Sequence, residues 1–307
     1  MNPKIKVIGV GGSGSNTVSR MAKFHMQDVG LLAVNTDAQA LYFSKADKKL
    51  LIGKNLTKGL GTGMDANLGR KSAEESKQEI LENLKGSDMV FVTCGLGGGT
   101  GSGAAPIIAE ISKGLGILTI AVITTPFSFE GEARKKIAEQ ALQNLKGKVD
   151  SLLVISNDKL LKIIDEKTTV SNAFLICDDI LREAVQSITD LILMPGIINI
   201  DFASVLSIMK NSGQALFGVG KASGENRAVL AAESAISSPL LDFSIKGAKG
   251  VLFSVSGNNI TLNEIQEAAK IITKNIDSKA QIIFGAIKDE NPRKEEIKIT
   301  VIATKLV

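Results

Sequence analysis

The residues best suited to chemistry are glycines. Gly95-Leu96-Gly97-Gly98-Gly99-Thr100-Gly101-Ser102-Gly103 holds six glycines in nine residues and follows an apolar run. Each glycine costs backbone entropy, so such a run is expected where backbone must approach a ligand closely or turn through positive φ. A second turn, Gly9-Val10-Gly11-Gly12-Ser13-Gly14-Ser15-Asn16, satisfies GxGxxG between a strand pattern and a helix pattern. Amides with no Cβ in the way, at a helix N-terminus, make a site for phosphate. The first turn alone, with Asp37 placed 23 residues after Gly14 to bind a ribose, also fits a nicotinamide dinucleotide. Two such turns would surround a longer phosphate chain and point to a nucleoside triphosphate. No GxxxxGK[ST] string is present, because Gly53-Lys54 and Gly220-Lys221 lack both the earlier glycine and the following hydroxyl. The phosphates are therefore expected to be held by amides without a lysine, with Mg2+ bound through the phosphates and no protein side chain assigned to it.

Turns of this kind need strand ends to carry them. Lys4–Val10, Leu31–Asn35, Met89–Thr93, Ile117–Ile123 and Leu152–Ser156 read as strands, apolar on both faces as in a parallel sheet. Helix patterns at about Ser13–Gln27, Gly69–Lys85, Gly103–Gly114 and Glu132–Leu145 alternate with them, the order of a doubly wound α/β domain. Ser171–Met194 reads as one amphipathic helix of roughly 36 Å, stopped by Pro195-Gly196. Strands at Gly250–Ser256, Ala280–Ala286 and Glu296–Ala303, around a helix at Leu262–Lys274, suggest a smaller α+β domain. The fold class is α/β: a Rossmann-like parallel-sheet domain over 1–169, a central connecting helix over 170–194, and a C-terminal α+β domain over 195–307.

Composition narrows the functions. Lys plus Arg exceeds Asp plus Glu by only 36 − 32 = 4, the basic residues are scattered, Trp is absent and there is one Tyr, which disfavours a nucleic-acid partner. Cys94 and Cys177 belong to no metal-ligand or disulfide pattern, and Cys94 reads as a small buried residue. The single histidine, His25, is given no role. The apolar run from Ile5 leaves no room for a signal peptide, and the longest apolar stretches are too short, or too interrupted, to insert in a membrane. A soluble, cytoplasmic protein is expected.

Gly97–Gly103, GGGTGSG, resembles the tubulin signature GGGTG[ST]G. The segments Val34–Leu41, Thr57–Gly61, Pro126–Gly131, Val149–Leu152, Asn157–Leu161 and Ile236–Leu241 are similar to segments of the bacterial FtsZ branch of the tubulin superfamily, in the same order. The resemblance implies a GTP- and GDP-binding GTPase of cell division. It would polymerise head to tail with itself at the division site, and each active site would be completed by the next subunit. It further implies that Gly11, Gly12, Ser13, Gly14, Ser15 and Asn16, with Gly97, Gly98, Gly99, Thr100, Gly101, Ser102 and Gly103, hold the phosphates. Glu130 and Arg134 would approach the ribose and a nearby phosphate, and Phe174 would stack on guanine. Asp179 would accept from the guanine N1 and exocyclic amino groups, with the adjacent Asp178 counted among the nucleotide-binding residues.

Hydrolysis in that family is attributed to a loop of the form NxDxxD. Here it reads Asn199-Ile200-Asp201-Phe202-Ala203-Ser204: Asn199 and Asp201 are kept as catalytic candidates, and serine replaces the second acid. A neutral hydroxyl is a poor base, so slow turnover is expected. A nearly inactive filament protein or regulatory paralogue is the second reading, and a nicotinamide-dependent oxidoreductase a remote third. The segment Thr62-Gly63-Met64-Asp65-Ala66-Asn67 lacks the proline of the family's GAGANP-like turn, which implies a freer loop. The chain ends after its last strand pattern, where relatives usually continue into a tail for membrane-tethered partners.

Overall fold

A computed structural model describes residues 2–24, 26, 28–161, 164–165, 167–238, 245–274, 276–288 and 295–305. His25 and the end of the segment Ile236–Leu241 lie outside them. The chain divides into two compact units, Met1–Gln186 and Ser187–Val307, and the division falls inside the long helix.

In the N-terminal unit the elements are β1 (Ile5–Val10), α1 (Gly11–Met21), β2 (Val29–Asn35), α2 (Ala38–Phe43), β3 (Lys48–Leu51), α3 (Lys54–Thr57), α4 (Ala66–Glu75), α5 (Lys77–Leu84), β4 (Met89–Gly95), α6 (Gly99–Gly114), β5 (Leu118–Thr125), α7 (Glu132–Leu145), β6 (Ser151–Ser156) and α8 (Asn157–Leu160). Helix α9 (Val170–Leu193) follows. The strands lie in the order β3-β2-β1-β4-β5-β6, every neighbouring pair parallel. Val7, Ile8, Val90, Phe91 and Val92 are fully buried, as strands covered by helices on both faces must be. The order reverses direction between β1 and β4. In an open parallel sheet the crevice at the carboxyl ends of such a strand pair is where ligands bind.

The C-terminal unit contains α10 (Phe202–Met209), β7 (Gly213–Ser223), α11 (Arg227–Ile236), β8 (Gly250–Gly257), α12 (Leu262–Thr273), β9 (Gln281–Lys288) and β10 (Glu296–Thr304). Strand β10 runs antiparallel to both β7 and β8, and β8 runs parallel to β9. Its core packs Val251, Phe253, Val255, Ile297 and Ile299 against Ala231, Ala232, Ala235 and Ala268 of α11 and α12.

One feature of the N-terminal unit departs from the sequence reading. The single helix expected over Gly69–Lys85 is two, because Ser76 leaves helical geometry at φ −94° and ψ 18°. Its hydroxyl accepts the Gly53 amide at 3.2 Å, so the side chain serves a loop instead of the helix. The loop before α4 is anchored by a cap and two main-chain hydrogen bonds. Asp65 caps α4 by accepting from the amides of Asn67 and Leu68, Gly61 N donates to Thr36 O at 3.2 Å, and Asp65 N donates to Thr62 O at 3.0 Å.

Helix α4 crosses α6 backbone to backbone. A Cβ on Gly69 would stand 2.3 Å from Gly99 O, and one on Gly103 would stand 2.1 Å from Ala66 O. Both atoms are main chain and cannot swing aside. Gly69→Ala should therefore destabilise the protein by about 1–3 kcal/mol, the usual cost of overpacking, read as a lower midpoint in urea unfolding. An unchanged midpoint would show that the two helices can separate freely.

Candidate functional site

Strands β1 and β4 each end in a glycine turn that opens directly into a helix. Neither α1 nor α6 has a side-chain cap at its N-terminus, and neither has an acidic residue in its first turn. By contrast α2, α4, α10 and α12 are capped by Asp37, Asp65, Asp201 and Thr261. The first amides of a helix have no intrahelical partner, so α1 and α6 present unpaired donors and the positive ends of two dipoles to the same crevice. Gly11 has φ +73°, and a Cβ there would lie 2.9 Å from Gly101 N. The two turns thus touch through their main chains.

Between the turns lies a cavity of about 260 Å³. Of the residues expected to hold phosphate, Gly11, Gly12, Ser13, Gly98, Gly99, Thr100 and Gly101 line it. Gly14, Ser15, Asn16, Gly97, Ser102 and Gly103 do not; most of these build the turns. A Cβ on Gly14 would meet Thr93 O at 2.5 Å, which lets α1 lie directly on the sheet. Gly97 N donates to Ser102 Oγ at 2.9 Å, closing the second turn. Asn16 is exposed on α1, and the buried Ser15 hydroxyl has no partner among the described residues. Three hydroxyls join the second turn to the loop before α4: Thr100 Oγ1 lies 2.7 Å from Thr36 Oγ1 and 3.3 Å from Thr62 Oγ1.

Glu130, Arg134, Phe174 and Asp178 also line it. Glu130 accepts the Phe127 amide at 2.9 Å and faces Arg134 at 3.6 Å across one helical turn. Phe174 stands edge-on to buried Phe127, ring centres 5.4 Å apart, and leaves a face exposed. Asp179 is absent from the lining. It points to Arg20 of α1, whose guanidinium donates to it at 2.8 Å. Asp178 is the buried one of the pair, accepting from Thr17 Oγ1 at 3.2 Å, with Arg20 Nε 3.8 Å away.

Sequence reasoning missed Thr62, Thr124, Cys177 and Asn157 in this lining. Asn157 carries the strongest signal of a ligand: its Oδ1 is buried and has no hydrogen-bond partner among the described residues. An unmade hydrogen bond to a buried oxygen costs about 1–3 kcal/mol, so a donor reaching this atom would be favoured. Asn157 is the first residue after β6, and a polar residue just past the carboxyl end of a parallel strand is the pattern that could have found it.

Residues 4–165 match the model of the Tubulin/FtsZ family, GTPase domain, and residues 213–307 that of the FtsZ family, C-terminal domain. An empty FtsZ dimer from M. jannaschii superposes with a TM-score of 0.95 at 44% identity, covering 99% of this chain and 88% of that one. The chain belongs to the Tubulin/FtsZ family. A point mutant of M. jannaschii FtsZ also matches at 44% identity and TM-score 0.95, over 99% of this chain and 92% of that one. CetZ2 from Haloferax volcanii, solved as a GTPgS-bound protofilament, shares the fold at TM-score 0.83 and 23% identity, over 98% of this chain and 92% of that one.

The two-domain Tubulin/FtsZ fold and its guanine-nucleotide GTPase domain remove the dehydrogenase reading. Asp37, the acid on which that reading leaned, is spent as the cap of α2, accepting from Ala40 N at 2.9 Å. The FtsZ-type loop after α9 lies in the C-terminal unit. Asn199 Oδ1 accepts from Gly196 N at 2.6 Å, and the strand-like pair Ile198–Ala286 ties the loop to β9. Asp201 is exposed and caps α10 through Ser204 N at 2.7 Å. Hydrogen bonds from the Ser204 hydroxyl and amide hold the Asp201 carboxyl below its ordinary pKa. Among the described residues there is no cluster of three or more acidic, histidine or cysteine side chains that could hold a metal, and no helix long and apolar enough to cross a membrane.

Burial pushes the Asp178 carboxyl up to about 6; Thr17 and Arg20 oppose the shift, and Asp179 adds to it. In the unfolded chain the group titrates near 3.8. Between these values the folded protein retains a proton that the unfolded chain has released, so the contribution of this group to stability is full below pH 4, falls as pH rises to 6, and is gone above. At 1.36 kcal/mol per unit the loss is at most about 3 kcal/mol. Asp178→Asn should lack this dependence. Denaturation at pH 4.5 and pH 7.5 should show the wild type losing ground to the variant at the higher pH, and parallel behaviour would refute the assignment.

Proposed function

We propose that the cavity between the two glycine turns binds GTP and GDP, and that the chain assembles head to tail into filaments whose contacts complete GTP hydrolysis. The observation that carries the reading is the meeting of two uncapped helix N-termini at the switch point of a parallel sheet, main chain against main chain. Such a cradle suits a polyphosphate with its Mg2+, and no lysine is needed for it. Arg134 adds positive charge, Asn157 Oδ1 offers an acceptor to a ribose hydroxyl, and Phe174 offers a face to the base.

Asp178, in place of Asp179, reads guanine in this arrangement. It lines the cavity and Asp179 does not. A carboxylate accepts from both the N1–H and the exocyclic amine of guanine and has no donor for adenine. Asp178→Asn should weaken GTP binding by about 10-fold or more, the scale of a charge-assisted hydrogen bond, and Asp179→Asn by much less. Equal losses in nucleotide titrations would return the role to both residues.

The cavity lining comes from the N-terminal unit, and Asn199 and Asp201 belong to the other. By family resemblance a second copy brings these residues to the nucleotide. Asp201 is a weakened base here, since Ser204 donates to it where relatives carry a second acid. Two carboxylates so placed would repel and raise each other's proton affinity. Turnover is slow on this reading, the filaments are long-lived, and the role in the cell is septation, with partners at the division site that tether filaments to the membrane.

GTP added to purified protein should produce light scattering that ADP or ATP does not, with phosphate release lagging far behind assembly. Ser204→Asp should then raise phosphate release about 10-fold or more, within the range of positioned acid–base groups. Fast release in the wild type, unchanged by the substitution, would discard the slow-turnover reading. Assembly without guanine nucleotide would discard the larger one.

A further inference from the structure

Helix α1 lines the cavity with its first turn and contacts Asp178 with its later turns. Its first residues, Gly11 to Ser13, form the phosphate cradle, and its later turns carry the two side chains that grip Asp178. Thr17 is fully buried, and its hydroxyl lies within reach of two acceptors: the carbonyl oxygen of Ser13 at 3.0 Å and Asp178 Oδ1 at 3.2 Å. A hydroxyl has one proton to give, so it serves one acceptor at a time. Arg20 reaches Asp178 Oδ2 with Nε at 3.8 Å, and its Nη1 donates to Asp179 at 2.8 Å and to the Leu175 carbonyl at 3.2 Å. One guanidinium therefore fastens α1 to α9 at three points around the carboxylate.

We propose that Thr17 and Arg20 are positioning residues for base selectivity, fixing the Asp178 carboxylate so that both of its oxygens face guanine's paired donors. The inference rests on the base-reading role given above to Asp178. A carboxylate has about four lone-pair sites; Thr17 takes one on Oδ1, and the Arg20 guanidinium, 3.8 Å from Oδ2, holds the other oxygen as an ion pair. With those contacts made, the carboxylate plane is set, and the remaining sites on both oxygens are left for a second, bidentate partner. Guanine supplies two donors side by side; hypoxanthine, without the exocyclic amine, supplies one. The advantage of guanine over hypoxanthine thus depends on orientation as well as on the presence of the acid. Removing the Thr17 hydroxyl frees the carboxylate to rotate and leaves the second hydrogen bond unmade, while phosphate binding by the turn amides continues.

Affinities of the full chain for GTP and ITP at pH 7.5 separate this from a structural role. The wild type should favour GTP by about 10-fold or more, one hydrogen bond to a charged group. Thr17→Val keeps the shape of the side chain and removes the hydroxyl. Its GTP-to-ITP ratio should fall to about threefold or less, mainly through lost GTP affinity, and Thr17→Ser should restore the ratio. Arg20→Gln should lower it in the same sense, and carries the test if Thr17→Val does not fold. A ratio that stays at the wild-type value in Thr17→Val and Arg20→Gln, with GTP and ITP weakened alike, would overturn the proposal and leave the base-reading role of Asp178 standing. A wild type indifferent to the exocyclic amine would remove that role, and this inference with it.

Discussion

The contact on which the rest depends is the one between two main chains, at Gly11 and Gly101. Nothing larger than hydrogen fits there, since a Cβ on Gly11 would come within 2.9 Å of the Gly101 nitrogen. Because the turns are that close, the amide ends of α1 and α6 converge on one small volume. The approach is enforced from behind: α1 lies on the sheet through Gly14, and α6 is held at its other side by the Gly69 and Gly103 crossing with α4. Glycine entropy lost at these positions, roughly 0.5–1 kcal/mol each, is offset by the burial of β1, β4 and α6 in a common core.

Electrostatics then divides the cavity. Unpaired amides make one region attractive to anions, whereas Asp178 places a desolvated carboxylate in another. A nucleotide matches that polarity, with phosphates for the amides and ring donors for the acid. Two polar side chains give the cavity wall its specificity: the buried Asp178 carboxylate, held by Thr17 and Arg20, and Asn157, whose buried Oδ1 has no hydrogen-bond partner among the described residues. Neither group belongs to the glycine turns; the fold brings them in from α9 and from the end of β6.

Much of this was legible in the chain itself. Helix α7 spans the expected Glu132–Leu145, and the long helix differs from expectation by one residue at each end. Strong apolar periodicity with clear stops makes such elements readable. Strand β7 was not anticipated because Gly213, Gly218 and Gly220 interrupt it, and its pairing with β10 is a long-range effect that no local pattern records. The short elements α2, α3, α8 and β3 carry too few residues for a period to show. Helical phase places Asp178, and not Asp179, in the cavity lining. Residues four apart share a helix face, so Phe174 and Asp178 look the same way, whereas Asp179 turns toward Arg20. Asn157 had no periodic signal, and its significance lies in an absent partner that only three-dimensional packing reveals.

The cysteines have a practical bearing. Cys94 sits in β4 just ahead of the second turn and Cys177 borders the cavity, both buried and both without a disulfide. Burial pushes each thiol up to about 12. At neutral pH neither forms appreciable thiolate, the species that reacts with alkylating reagents. One cysteine introduced on an exposed helix should therefore react well ahead of both natural sulfurs and carry a fluorophore or spin label at a defined address.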